Sequence, residues 1–127
     1  MKTNQKSPHG WVVKVDPSGE ASFYPFDSSN SLEQLQSGVG GWLEHFPLQD
    51  PLSAFDAFCD EEGILKGLPV NLVASGLSSV GRICGNVVIC LHNGEGDTIG
   101  ISDADLKSTV IPALTAAGAI WRESTHG

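Results

Sequence analysis

Four carboxylates, Asp56, Asp60, Glu61 and Glu62, fall between positions 56 and 62 of the chain, and they come closest to a reactive constellation. A hard divalent cation such as Ca²⁺ or Mg²⁺ needs several oxygens converging at about 2.0–2.6 Å. Asp56 and Asp60 would share one face of a strand, because side chains alternate with period two. The D-x-D-x-D-G spacing of a calcium loop is absent, however, and a turn with two glutamates is commonly just solvated. A metal-dependent enzyme using the 56–62 carboxylates is therefore a rival reading, and no metal is expected.

The string that follows, Glu61-Glu62-Gly63-Ile64-Leu65-Lys66-Gly67-Leu68-Pro69-Val70-Asn71, has two readings. In the structural one, Gly63 and Gly67 permit left-handed turns, Pro69 fixes the entry to a short helix and Asn71 caps backbone groups. In the functional one, Glu61, Glu62, Lys66 and Asn71 form a polar rim for a small polar ligand or a partner, since loops held by a scaffold carry much of binding. Trp42, next to the Gly40-Gly41 turn, belongs with the aromatic core or, if exposed, stacks on a base or anchors a partner. The candidate ligand- or partner-binding set is Trp42, Glu44, Asp60, Glu61, Glu62, Lys66 and Asn71.

Other chemistry finds less support. Cys59, Cys84 and Cys90 are odd in number and form no C-x-x-C pair, which argues against a disulfide framework or a zinc ribbon. The even spacing of Cys84 and Cys90 places both on one face of a strand, as buried free thiols. Cys59, Cys84 or Cys90 could in principle pair with His45 or His92, but no nucleophile elbow and no zinc-hydrolase or deaminase arrangement is present. Gly38-Val39-Gly40-Gly41 lacks the Lys-Ser/Thr of a phosphate loop and reads as the end of a helix. No catalytic residue and no cofactor is expected.

Composition narrows the function classes. The chain has 127 residues, 40% of them hydrophobic and 17% charged, which suits one domain with one core. Its formal charge of −8 and only 7 basic residues exclude a phosphate-binding surface, so nucleic acid is not an expected partner. Mimicry of DNA would need dense acidic rows, and most of the chain is neutral. The N-terminal ten residues lack the apolar core of a signal peptide. The apolar run from Val87 to Leu91 is far too short to span a bilayer, so the expectation is a cytoplasmic protein with no membrane association.

Short elements must position these residues. Trp11–Val15 and the 22–26 stretch read as strands around the Asp16-Pro17-Ser18-Gly19 turn, with Pro25 best placed on an edge. Ser31 and Gln34 form a capping-box pattern for a helix over 32–39, ended by Gly38, Gly40 and Gly41. Strands are expected at 42–47 and 55–60, joined by a surface loop over 48–54. A short helix over 71–77 precedes the clearest strand, 83–91, whose continuous apolar run suggests a central place. A short return strand over 98–101 leads to a helix over 103–117 started by Ser102, which Pro112 should kink or split.

Three segments carry a family likeness: Leu32-Glu33-Gln34-Leu35-Gln36 leading to Val39-Gly40-Gly41-Trp42-Leu43-Glu44; Asp60 to Asn71; and Ile83, Gly85, Val87 and Ile89. In this order and spacing the chain resembles the domain of unknown function family 3846, found largely in bacteriophage genomes, mobile elements and bacterial chromosomes. The likeness covers about residues 11–106, with Val70 where a second proline is frequent. It implies a fold and a genomic setting and no activity.

The expected architecture is α+β: a small single domain over 10–121, between a leader (1–9) and a tail (122–127). A mostly antiparallel sheet of about five strands carries two to three helices packed on one face. The expected function is a non-enzymatic binding module, an accessory protein of phage or mobile-element origin with a counter-defence role conceivable, acting on a host protein or a small ligand. One rival is a sponge for a nucleotide-type signal, with a pocket near Trp42 and the 60–71 turn. Edge strands offer a route to a homo-oligomer.

Overall fold

The computed structural model describes residues 7–122, so most of the expected leader and nearly all of the expected tail lie outside the described residues. The β-branched run Trp11–Val15 forms β1, and Glu20–Pro25 forms β2. They pair antiparallel around the predicted turn, where the Asp16 carboxylate accepts the backbone N–H groups of Ser18 and Glu20. Helix α1 spans Ser31–Val39, and β3 (Leu43–Phe46) and β4 (Asp56–Asp60) follow. Helix α2 is Leu72–Leu77, β5 is Val87–His92 and β6 is Thr98–Ile99. A helical run over 103–116 and a last strand, β7 (Ile120–Trp121), complete the order.

The fold class is the α+β expected. The sheet runs β3-β4-β5-β1-β2-β7, with β6 pairing off β5, and every pairing is antiparallel except β2 with β7. Seven strands replace the expected five or so. Of the extra members, β6 is the short return strand expected over 98–101, and β7 has only two residues, too few to show a period in sequence. Strand β5 is central, as its unbroken apolar run requires.

One expectation is corrected: the helices do not share a face of the sheet. The main core joins Trp11, Val13, Val87, Ile89 and Ala57 to Val73 of α2 and to Leu106, Val110 and Leu114 of the 103–116 run. The opposite face joins Val12, Val88 and Cys90 to Leu35 and Val39 of α1. The reason is the composition of β1 and β5: both are apolar on consecutive residues, so both faces must be covered. Helix α1 lies close enough that a β-carbon at Gly38 would stand 2.7 Å from a Val88 methyl.

Three local details also differ from expectation. Ser31 is the first residue of α1 and Asn30 its cap, and Gln34 spans back to the Asp27 N–H (2.8 Å) and the Pro25 carbonyl (2.9 Å) instead of closing a capping box. The 48–54 loop is not superficial, because Leu48 and Leu52 are buried in the main core. Strand β5 starts at Val87, so Cys84 stands before it and does not share a strand face with Cys90. As expected, Pro112 stands where its helical run is divided, although the run does not end there. A π-helical turn, Leu106–Val110, joins α3 (Asp103–Asp105) to α4 (Ile111–Ala116), with the Ile111 N–H reaching the Leu106 carbonyl. The wider turn accommodates a residue that has no N–H to donate. Ser102 caps this run as expected, its hydroxyl accepting the Asp105 N–H at 3.1 Å.

Candidate functional site

The candidate residues sit at one end of the β3–β4 pair, and an anchored carboxylate organises them. Asp60 closes β4, and its side chain is only 2% exposed. Its Oδ1 accepts the Glu62 N–H at 2.8 Å, and its Oδ2 meets the Lys66 ammonium at 2.7 Å. The Lys66 hydrogen bond, helped by the Glu62 N–H, holds the Asp60 carboxyl below the usual carboxylate range against the opposing effect of burial. The same contact raises the Lys66 ammonium above its ordinary value. Gly41 leaves room for this group: a β-carbon there would lie 2.6 Å from Asp60 Oδ2. The pairing of glycine with carboxylate is thus steric as well as local in sequence.

The chain then winds through consecutive turns. Gly63 N–H bonds the Asp60 carbonyl, Lys66 N–H the Glu62 carbonyl and Leu68 N–H the Gly63 carbonyl. Gly67 takes the left-handed conformation at φ 67°, which favours glycine. Gly63 is buried against the Cys84 carbonyl, 3.3 Å from where its β-carbon would stand. Because the turn is pinned from inside by Asp60 and Gly63, its apolar residues point outward. Leu65 is 86% exposed, Ile64 68% and Trp42 66%. Trp42 belongs to the same end of the pair, since its carbonyl accepts the Glu61 N–H at 2.9 Å.

Glu44, Glu61 and Glu62 are exposed beside these side chains, so six of the seven candidate residues gather here. Asn71 does not join them. It is 0% exposed, and its amide donates to the Val15 and Gly85 carbonyls (3.1 and 3.0 Å) while its oxygen accepts the Ala74 N–H (3.0 Å) at the start of α2. It ties β1, the approach to β5 and α2 together, and no ligand reaches it in this conformation.

Two concave features flank the cluster. An open groove of about 380 Å³ is lined by Gln36, Ser37, Gly40, Gly41 and Trp42. A smaller cleft of about 110 Å³ includes Glu44, Cys59, Glu61, Leu65, Arg82 and Cys84 in its lining. Burial, with Glu44 and Asp60 adding to it, pushes the Cys59 thiol up to about 11. Burial and Asp56 push Cys90 up to about 12. Neither is a thiolate near neutral pH, so neither is an activated nucleophile.

The 56–62 carboxylates do not converge. Asp56 lies at the far end of β4 from Asp60, four residues or about 13 Å along the strand. It accepts His45 Nε2 at 3.2 Å and His92 Nδ1 at 2.7 Å, linking β3, β4 and β5 on the α1 face. His45 also meets Phe58 edge-on, with ring centroids 5.4 Å apart. Sequence reading missed this array, which only the register of three strands brings together. Among the described residues, no three His, Cys, Asp or Glu side chains are arranged to hold a metal ion. No helix among them is long and apolar enough to cross a membrane.

Fold and site together define a small α+β domain that presents a rigidly backed apolar and acidic surface at one sheet edge. The chain belongs to the domain of unknown function family DUF3846, whose model matches residues 10–111. The match spans β1 to the π-helical turn and includes the whole of the Trp42 and 60–71 cluster. Among curated proteins and among solved structures, none matches the chain.

Proposed function

We propose that this domain is a non-enzymatic binding module that docks a partner protein through the Trp42, Ile64 and Leu65 end of the β3–β4 pair. The exposure of these three large apolar side chains, Ile64 and Leu65 on the internally braced turn and Trp42 across the strand pair from it, carries the reading. Apolar patches rimmed by polar groups mark interaction sites, and here Glu44, Glu61 and Glu62 supply the rim. Packing does not account for the outward side chains, because Asp60 and Gly63 already hold the turn from inside. Trp42 has the character of an anchor residue, large, rigid and amphipathic.

The genomic setting implied by the family makes an accessory protein of phage or mobile-element origin, acting on a host protein in the cytoplasm, the natural context. Counter-defence is one such role. A nucleotide-type ligand is less well supported: Trp42 could stack a base, but the groove beside it is lined by no cationic side chain to meet a phosphate. A metal-dependent enzyme is disfavoured by the separation of Asp56 from Asp60 and by the partners each already has.

A photocrosslinking amino acid placed at Trp42 tests the proposal in host lysate, with Lys107 on the helical run as a control position. The expected result is one dominant protein captured from position 42, absent from position 107 and lost on Leu65→Glu. Capture that is equal from both positions, or none from position 42, would overturn it.

A further inference from the structure

The same end of the molecule exposes backbone as well as side chains. Strand β3 lies at the end of the sheet, and among the described residues no strand pairs with its outer edge. Which of its groups face outward follows from the ladder. The Trp42 carbonyl accepts the Glu61 N–H, so Trp42 and Glu61 are a hydrogen-bonded pair. Alternation then makes Glu44–Cys59 and Phe46–Ala57 hydrogen-bonded pairs as well. Leu43 and His45 are left with their N–H and C=O groups directed away from β4. Beyond Phe46 the edge closes, since the Pro47 carbonyl accepts the Ser79 N–H and Leu48 bridges Ser78. The open stretch is therefore short and has a defined start and stop.

Resting on the partner-docking reading above, we infer that the outer edge of β3 takes up an extended basic segment of a partner protein as an added strand. Two observations select this occupant. The open Leu43 and His45 backbone groups match an extended chain, in which main-chain hydrogen bonds give affinity and alternate side chains give specificity. The rim is acidic: Glu44, Glu61 and Glu62 are exposed there, whereas Lys66 is committed to Asp60 and Arg82 is the one cation lining the neighbouring cleft. An added strand would place side chains alternately toward the α1 face, beside Leu43, and toward the face that Glu44 shares with Trp42. Apolar residues suit the first, and Lys or Arg suits the second.

A second copy of this chain fits less well. It would bring the same glutamates against their equivalents, and the chain as a whole has a formal charge of −8. Glu44 thus discourages self-pairing at the edge, a common use of charge on edge strands, while favouring a basic partner.

The test uses the full chain and a synthetic peptide of alternating lysine and valine, with an alternating glutamate and valine peptide as control. Saturating basic peptide should slow amide hydrogen exchange at Leu43 and His45 by about tenfold or more, with the acidic peptide inert. Glu44→Lys should weaken binding by about tenfold. His45→Pro, which removes an outward N–H without touching the β4 ladder, should abolish binding, whereas His45→Ala should retain it. No binding at millimolar peptide, equal binding of both peptides, or binding without protection at Leu43 and His45 would each overturn the inference. So would self-association that His45→Pro abolishes. A partner captured from position 42 that leaves these two amides unprotected would overturn strand addition alone. No capture there would overturn the docking reading beneath it.

Discussion

Replacing Asn71 separates two roles that its position superficially merges. The side chain makes three buried hydrogen bonds: two donated to the Val15 and Gly85 carbonyls, and one accepted from Ala74 at the α2 N-terminus. A buried hydrogen bond contributes about 1 kcal/mol net, so Asn71→Ala should cost about 3 kcal/mol. A chain of this size loses about 4 °C of Tm per kcal/mol, which gives a fall of about 10–15 °C. Asn71→Asp is the informative comparison. Aspartate caps a helix as well as asparagine does, so a residue that was only a cap would be rescued. Here the aspartate would lose both donated bonds and set a buried charge against two carbonyl oxygens, so it should be at least as damaging as alanine. Urea titration followed by tryptophan fluorescence measures both. A loss below about 1 kcal/mol for the alanine variant, or recovery by aspartate, would refute the staple argument.

Three further outcomes follow from the site. Asp60→Asn should destabilise by about 1–3 kcal/mol, because a charge-assisted pair is lost from a buried carboxyl. Since the folded carboxyl is held below its ordinary value, its contribution is complete above the unfolded value of 3.8 and disappears as pH falls through the lower folded value. Stability curves of the two proteins should therefore run parallel near neutrality and converge only in acid, as paired denaturations at several pH values will show. Gly41→Ala should cost about 1–3 kcal/mol by forcing a methyl against the anchored carboxylate, and Gly41→Ala combined with Asp60→Ala should cost less than the sum. With iodoacetamide near neutral pH, Cys84 should label first, because it is half-buried while Cys59 and Cys90 are buried thiols raised to about 11 and about 12. Mass spectrometry of timed digests reads the order.

The legible parts of the fold are those with a clear period. The 11–15, 43–46 and 56–60 strands, both longer helices and the central place of β5 follow from alternation, capping residues and an unbroken apolar run. What escaped depends on contacts distant in sequence. Val12 and Val88 carried the evidence that the sheet is covered on both faces, yet a run such as Trp11-Val12-Val13 does not say which helix covers which side. Leu48 and Leu52 sit among prolines and polar residues, so their burial reflects the loop folding back on the sheet. At the candidate site, the turn glycines and the capping role of Asn71 were readable locally. The Lys66–Asp60 contact, the 0% exposure of Asn71 and the His45–Asp56–His92 array depend on spatial register.

The central claim is that Trp42, Ile64 and Leu65 serve a partner and not the fold. Parallel measurement of stability and of partner capture for the variant combining Trp42→Ala with Leu65→Ser tests it most directly. Exposed positions of this kind change stability by no more than about 0.5 kcal/mol each. Binding lost with Tm nearly unchanged is the predicted result. A large fall in Tm with capture intact would contradict the claim and return the three side chains to the architecture of the domain.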